Sequence, residues 1–478
     1  MVSEELGPLL SLNIRTDKRE FIYRQIYNQL KREILLHHFL PNEQLPSKRE
    51  LSETLNVSVN SVNSAYQQLL AEGYIYSKER SGFFVEKLDT ISPSFGTTHT
   101  LSPELIEPAE SGGHLISFSH MSADRSAFPF DNWLNCERKV LKLKNSDLSD
   151  DPTRFPQGIY SVRRTIARFL SLTRGVNSFP EQIVLGSGTQ VLVQMLIQLL
   201  PVSSTYAMED PGYRRVYQLL KNQKADIKEI KLDKKGISVN EIKRINPNIV
   251  YVTPSHQFPT GIVMPISRRI QLLNWASEAE NRYIIEDDYD SEFKYGFDTI
   301  PSLQGLDSFE RVIYIGTFSK SILPGLRISY MVLPQHLVKK FRERFGFFMQ
   351  TCNGLAQLTL QNFIDSGEYQ KHIKHMRQIY SERRMLLIEE LEKRFAGSIT
   401  IYGAKAGLHF MATFETKRSA EEIIIRAKKD KLELYSLNRC YLSQDNLFNK
   451  PAFILGFANL PVEKIGEAVD RLYRAVFQ

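Results

Sequence analysis

Cysteine is scarce in this chain: Cys136, Cys352 and Cys440 are the three present in 478 residues. Their odd number and wide spacing exclude a disulfide framework, and none sits at a paired zinc-ligand spacing, so no metal site is expected. A reducing compartment, the cytoplasm, is the expected location. Long apolar runs are missing as well. The most apolar helical stretch, Val191 to Leu200, is interrupted by Gln194 and Gln198, so no membrane span is expected. Met1 to Ile14 carries Glu4 and Glu5 and lacks the basic-then-apolar order of a secretory leader. No internal repeat is visible. Neither sign of charge dominates, and a formal charge of +7 permits a polyanionic partner without demanding one. With 42% hydrophobic and 24% charged residues the composition is that of a globular protein, long enough for two or three domains.

What the chain does have is a set of apolar runs that stop at polar residues. Val312-Ile313-Tyr314-Ile315 leads through Gly316-Thr317-Phe318-Ser319 to Lys320, with Arg327 further on. Three more runs end as a parallel strand does where it leaves its sheet and opens a site at its carboxyl end. Ile183-Val184-Leu185 enters Gly186-Ser187-Gly188-Thr189-Gln190 and then a helical pattern. Glycines that let backbone approach, followed by the N–H groups of a helix start, make a phosphate cradle. Ile249 to Val252 enters Thr253-Pro254-Ser255-His256-Gln257-Phe258-Pro259-Thr260-Gly261, and Tyr283-Ile284-Ile285 delivers Glu286-Asp287-Asp288-Tyr289. These groups together suit pyridoxal phosphate. An amine attacks its aldehyde, hydroxyls and a guanidinium hold its phosphate dianion, and a carboxylate keeps its pyridine nitrogen protonated. His256 reads equally well as a loop histidine whose hydrogen bonds are satisfied.

The ordered set resembles the fold-type I aminotransferases over residues 115 to 478: a large α/β domain and a small carboxy-terminal α+β domain. The resemblance implies that Lys320 forms the Schiff base with the cofactor, that Asp287 faces the pyridine nitrogen and that Tyr289 faces the phenolic oxygen. It places Ser187, Thr189, Thr317, Ser319 and Arg327 around the phosphate. Where those enzymes carry an Asn directly before Pro-Thr-Gly, this chain has Phe258. Contact with the cofactor is therefore left open among His256, Gln257 and Phe258.

The other end of the chain has helical periodicity. Ile22, Ile26, Leu30 and Ile34 recur every four residues between Phe21 and Leu36. Ser47 and Glu50 form a capping-box pattern at the start of a second helix carrying Leu51 and Leu55. Asn56 can stop that helix in the left-handed conformation, and Ser58 can cap a third, with Val57 and Val62 as its staple. On the third helix Val62, Ala65, Tyr66 and Leu69 share a face, opposite Asn60, Ser61, Asn63, Ser64 and Gln67. Short hydrogen-bonding side chains of that kind suit base edges and phosphates in a major groove. Tyr74 to Ser77 and Phe83 to Val85 read as two strands around Lys78-Glu79-Arg80-Ser81-Gly82, a basic-tipped wing. A plain three-helix bundle is the bland alternative, and residues 17 to 88 hold ten Lys and Arg against nine Asp and Glu, hardly an electrostatic footprint.

Leu-Pro-Ser-Lys-Arg-Glu-Leu from Leu45, Leu-Asn-Val-Ser from Leu55 and Glu-Gly-Tyr from Glu72 resemble the winged helix-turn-helix of GntR-type regulators. That resemblance implies DNA contacts at Ser47, Lys48, Arg49, Ser58, Asn60, Ser61, Arg80 and Gly82. Val59 stands where the family commonly has an Arg. Residues 89 to 114, rich in Ser, Thr, Pro and Gly, read as a linker between the two parts. A GntR-type reader at 17 to 88, a linker, and an aminotransferase-like module at 115 to 478 is the architecture of the MocR-type regulators. Within that family the resemblance to the activators that sense γ-aminobutyrate is close. It implies a homodimer on a double-stranded operator, with an amine effector forming an external aldimine in place of Lys320. Tyr213 would lie against the cofactor ring, and Arg215 and Arg439 would bind the effector's carboxylate, unless they make surface ion pairs. A working aminotransferase with an accessory DNA domain is the alternative.

Overall fold

A computed structural model describes residues 13–14, 20–88, 101–107, 115–120, 123–142, 156–296, 301–443 and 450–478. The chain divides into two compact units, Met1–Ser111 and Gly112–Gln478. Most of the expected linker, including Pro93, Pro108 and Gly112-Gly113, lies outside the described residues, as do residues 1–12.

In the N-terminal unit three helices and a hairpin close over one core. Ile22–Leu35 buries Ile26, Leu30 and Ile34, the residues that a spacing of four puts on one face. Lys48–Thr54 begins at Ser47, whose Oγ accepts from the Glu50 N–H at 3.2 Å while the Glu50 carboxylate accepts from the Ser47 N–H at 3.3 Å. The expected capping box is therefore formed. Asn56 takes φ 50°, and Ser58 caps Val59–Ala71 through the Ser61 N–H at 3.2 Å. This third helix buries Val62, Ala65, Tyr66 and Leu69 and exposes Asn60, Ser64 and Gln67. Ile75–Lys78 and Gly82–Val85 pair antiparallel, each within one residue of its expected position, with Arg80 at φ 59° in the turn.

The C-terminal unit is built on an eight-stranded sheet. Its order is Ile183–Gly186, Ser329–Val332, Val312–Thr317, Tyr283–Asp288, Ile249–Val252, Thr205–Asp210, Asp226–Asp233, Gly236–Ile237. The strands from Val312–Thr317 to Asp226–Asp233 are mutually parallel. Ile183–Gly186 departs from expectation. It pairs antiparallel with Ser329–Val332, which is itself antiparallel to Val312–Thr317. Two reversals restore its direction, so Gly186 still ends at the same edge as Asp210, Val252, Asp288 and Thr317.

The strands are buried on both faces. Ile249, Tyr251, Ile285, Ile313 and Ile315 pack with the helices Thr189–Leu199 and Gln335–Phe345, while Val250, Val252, Ile284 and Val312 pack with Val239–Ile245 and Ile266–Ser277. Period-two alternation divides each strand between two cores. The long helix Glu368–Phe395 leads to a four-stranded antiparallel sheet, ordered Ile399–Tyr402, His409–Phe414, Ala452–Gly456, Tyr435–Ser436. Among the described residues no helix is long and apolar enough to cross a membrane.

Ser47→Ala removes one half of the capping box and is expected to destabilise the N-terminal unit by about 1 kcal/mol. A lower urea midpoint for that unit's transition checks it. Arg49→Ala, on the same short helix and exposed, should leave that midpoint in place.

Candidate functional site

The polar residues at the strand ends line one cavity. At its anion end Thr189 and Gln190 open a helix, and Thr317, Ser319, Arg327 and Ser329 face them. Gly188 makes the close approach possible: its φ is 112°, and a Cβ there would lie 2.0 Å from Nη2 of Arg327. The Ser319 Oγ is buried without a hydrogen-bond partner. Ser187 is held back from the lining. Its N–H donates to Thr351 Oγ1 at 3.1 Å and its carbonyl accepts from Arg327 Nη2 at 3.4 Å, so it braces the guanidinium.

At the other end stands Asp287, 3% exposed. Tyr251 donates its hydroxyl to Oδ2, and Oδ1 has no partner. Burial pushes this carboxyl up to about 7, with Asp288 and Asp290 adding to the effect and the Tyr251 bond opposing it. A protonated ring nitrogen would meet both needs, supplying a donor and a positive charge. Lys320 reaches into the cavity and donates from Nζ to the His120 carbonyl at 3.0 Å. Burial lowers its amine to about 8, assisted by Arg215 and opposed by Asp290. A larger fraction is thus nucleophilic free base than for a solvated lysine.

Of the three loop residues that the sequence left open, Phe258 lines the cavity. Gln257 turns into the loop, donating to the Pro211 carbonyl at 3.0 Å and accepting from the Thr260 N–H at 3.1 Å. His256 lies behind Tyr289, whose hydroxyl donates to the His256 carbonyl at 2.9 Å, and its Nδ1 pairs with Asp290 at 2.9 Å. Tyr289 itself lines the cavity, as does Tyr213, which packs edge-on against Phe258 with centroids 5.8 Å apart.

Of the two arginines expected to bind an effector, Arg215 lines the cavity and Arg439 does not. Arg439 is exposed on the turn Leu437–Cys440, whose Cys440 carbonyl accepts from the Gly212 N–H at 2.9 Å. Sequence reasoning missed His120, Gln190, Thr253, Ser329 and His409. Ser329 had a signal, since a tight antiparallel return after Lys320 brings it opposite Thr317 and Gly186. His120 and His409 had none, because they come from segments distant in sequence.

The expected DNA-reading residues divide into two sets. Ser47, Ser58 and Ser61 use their hydroxyls or N–H groups in helix caps, and Lys48 donates to Asn63 at 2.6 Å and lies over the Phe83 ring. Arg49, Asn60, Arg80 and Gly82 are exposed. Neither arginine has an ion-pair partner among the described residues.

Two families account for these two units. Residues 22–85 match the bacterial regulatory proteins of the gntR family, and residues 127–472 match aminotransferase class I and II. The "uncharacterized HTH-type transcriptional regulator YhdI" of Bacillus subtilis is 38% identical over 98% of both chains. The "probable rhizopine catabolism regulatory protein MocR" of Rhizobium meliloti is 31% identical, covering 95% of this chain and 93% of its own. The chain belongs to the MocR-type transcriptional regulators. Among solved structures, the kynurenine aminotransferase of Pyrococcus horikoshii superposes with a TM-score of 0.68 at 24% identity, covering 76% of this chain and 91% of its own, a likeness of fold.

This MocR-type regulator is a DNA-binding protein whose cofactor is pyridoxal phosphate. Its residues fit that group: the orphaned Ser319 Oγ and the Gly188 gap suit a phosphate, and the orphaned Asp287 Oδ1 suits a protonated pyridine. Gly188→Ala is expected to lower cofactor occupancy, read from the visible absorbance per chain after purification. Lys320→Ala should abolish borohydride-trappable attachment. In the unmutated apoprotein the rate of attachment should rise through about pH 8, the midpoint of the buried amine, rather than at the higher pH of a solvated lysine.

Proposed function

We propose that this regulator senses a small amino acid through Lys320, with γ-aminobutyrate as the simplest effector of the class. The observation that carries the proposal is the pairing, in one chain, of a buried low-pKa lysine beside a guanidinium with a complete DNA-reading unit. We assign residues 17–88 to DNA binding, 89–114 to the linker and 115–478 to effector sensing and dimerisation, in a cytoplasmic homodimer.

When bound, pyridoxal phosphate supplies an aldehyde carbon that condenses with primary amines and a ring that withdraws electrons. The chain's residues do the rest. Thr189, Thr317, Ser319 and Arg327 would hold the phosphate, with Ser187 bracing Arg327; Asp287 would keep a proton on the ring nitrogen; Tyr289 and Tyr213 would contact the phenolic oxygen and the ring. Lys320 would attach the cofactor through its aldehyde carbon and would be the amine that an effector replaces, its lowered pKa favouring the free base. Arg215 takes the effector's carboxylate as a two-pronged donor that stays charged when desolvated. Arg439 is the second guanidinium proposed for that carboxylate, because its turn is bonded to Gly212, which precedes the cavity-lining Tyr213. Exchange of Lys320 for effector then favours one arrangement of the homodimer over another. A difference of about 1–3 kcal/mol between arrangements is typical of such coupling.

Turnover as an aminotransferase is the second reading, favoured by the intact Lys320 and Asp287. The two separate cleanly. A sensor answers γ-aminobutyrate with a shift in cofactor absorption and a change in operator binding or transcription, with little keto product. Rapid multiple turnovers with a keto-acid acceptor, and no effect of any amine on DNA binding or transcription, would establish the enzyme instead. Arg215→Ala should weaken the amine response at least about tenfold, the scale of one lost charge-assisted bond. On the DNA side, Arg49→Ala should cost about 1–3 kcal/mol of operator affinity, and affinity should fall steeply with salt. Footprinting and filter binding across a salt series check both.

A further inference from the structure

Glu286-Asp287-Asp288 places three carboxylates in a row, and the middle one has the fewest donors. Glu286 accepts from two backbone N–H groups and Asp288 from Arg174 and Tyr314, whereas among the described residues Asp287 accepts from the Tyr251 hydroxyl alone. Strand register brings the two together. Tyr251 on Ile249–Val252 lies opposite Ile285, and alternation puts Asp287, two residues on, on the same face. Asp287 lines the cavity and Tyr251 does not. The Tyr251 ring, 2% exposed, packs instead in the core that includes Met208, Ile285 and Leu192. Oδ2 is therefore tied to the core side, and Oδ1, buried without a partner, is the oxygen left for a ligand.

The bond has a direction. Burial, and then the charge of Asp287, drive the Tyr251 hydroxyl well above its ordinary value, so it keeps its proton and donates. A donor on a carboxylate favours the charged form. Burial presses a proton onto Asp287, as do Asp288 and Asp290, and Tyr251 opposes them. Glu209, buried on the strand Thr205–Asp210, and Tyr213 on the cavity wall also feel the Asp287 charge, but neither donates to it among the described residues. A proton shared between Asp287 and a pyridine nitrogen can rest on either partner. On the carboxyl it leaves the ring neutral and a weaker electron sink, and on the nitrogen it makes the ring cationic. A hydroxyl held on the carboxylate's far oxygen tips that balance towards the nitrogen.

We propose that Tyr251 is a positioning residue for the cofactor, holding Asp287 by Oδ2 so that Oδ1 meets the ring nitrogen and the shared proton stays on the ring. The test uses the full-length protein loaded with pyridoxal phosphate, and Tyr251→Phe, which keeps the buried ring and removes the hydroxyl. The readout is the pH midpoint at which the visible band of the Lys320-linked cofactor changes as its imine nitrogen loses a proton. A neutral ring withdraws less charge from that nitrogen and leaves it more basic. The midpoint should therefore rise in Tyr251→Phe by at least about half a unit. The cofactor's dissociation constant should rise by about three- to tenfold, the scale of one lost hydrogen bond. Asp287→Asn, measured at saturating cofactor, is the second background. A carboxamide cannot balance a charged ring, so adding Tyr251→Phe to it should move the midpoint no further, whereas a merely structural role for Tyr251 would move it in both backgrounds. An unmoved midpoint in Tyr251→Phe would overturn the inference, as would an equal rise in the Asp287→Asn background.

Discussion

Burial of ionisable groups at a single edge of the eight-stranded sheet is the constraint on which the rest of this structure depends. A solvated lysine is protonated and a solvated aspartate is spread thinly over many water contacts. Taken out of water, Lys320 becomes a nucleophile near neutral pH, and Asp287 becomes a carboxyl in want of a donor. Both effects require the strand ends to sit in a dry, walled pocket, which explains why the aromatic and apolar residues around them are as much a part of the site as the charges.

Holding such groups in place calls for a second layer of polar contacts beneath them. Directly after Asp287, Asp288 is 4% exposed, accepts from Arg174 Nε at 2.7 Å and from the Tyr314 hydroxyl at 2.6 Å. Arg174 also donates to Ser255 at 2.7 Å, tying the ends of two neighbouring strands to one guanidinium. A buried ion pair adds little net stability, but breaking one is costly, and the shared guanidinium fixes the geometry of both strand ends. Glu286 contributes in the same way, accepting from the backbone N–H groups of Leu303 at 2.8 Å and Gln304 at 2.9 Å. The three carboxylates of Glu286-Asp287-Asp288 therefore serve different ends, because alternation along the strand sends the middle one to the cavity face and its neighbours to the other.

The N-terminal unit works on a different principle. Its caps are local, its core is one stripe per helix, and its reading face is what remains exposed. Several residues expected to touch DNA spend their polar atoms on building the scaffold: Ser47 and Ser58 on caps, Lys48 on Asn63. The exposed guanidinium of Arg49 and the wing tip at Arg80 are left as the groups with capacity to spare.

Local physics made much of this protein legible from its sequence alone. Helix caps, the period-four stripe, the wing, the glycine turn before Thr189 and the strand ends at Asp287 and Thr317 are each written within a few consecutive residues, where backbone geometry leaves few alternatives. Tertiary structure alone decided what depends on register and on distant segments meeting. It set Ile183–Gly186 antiparallel to its neighbour, drew Ser329 to the anion end, sent Gln257 inward and Phe258 outward, and left Arg439 exposed outside the cavity lining. It also brought His120 and His409 together beside Lys320, from segments nearly three hundred residues apart. No local pattern can encode such a meeting, because it is the folding of the small sheet against the large one that creates it.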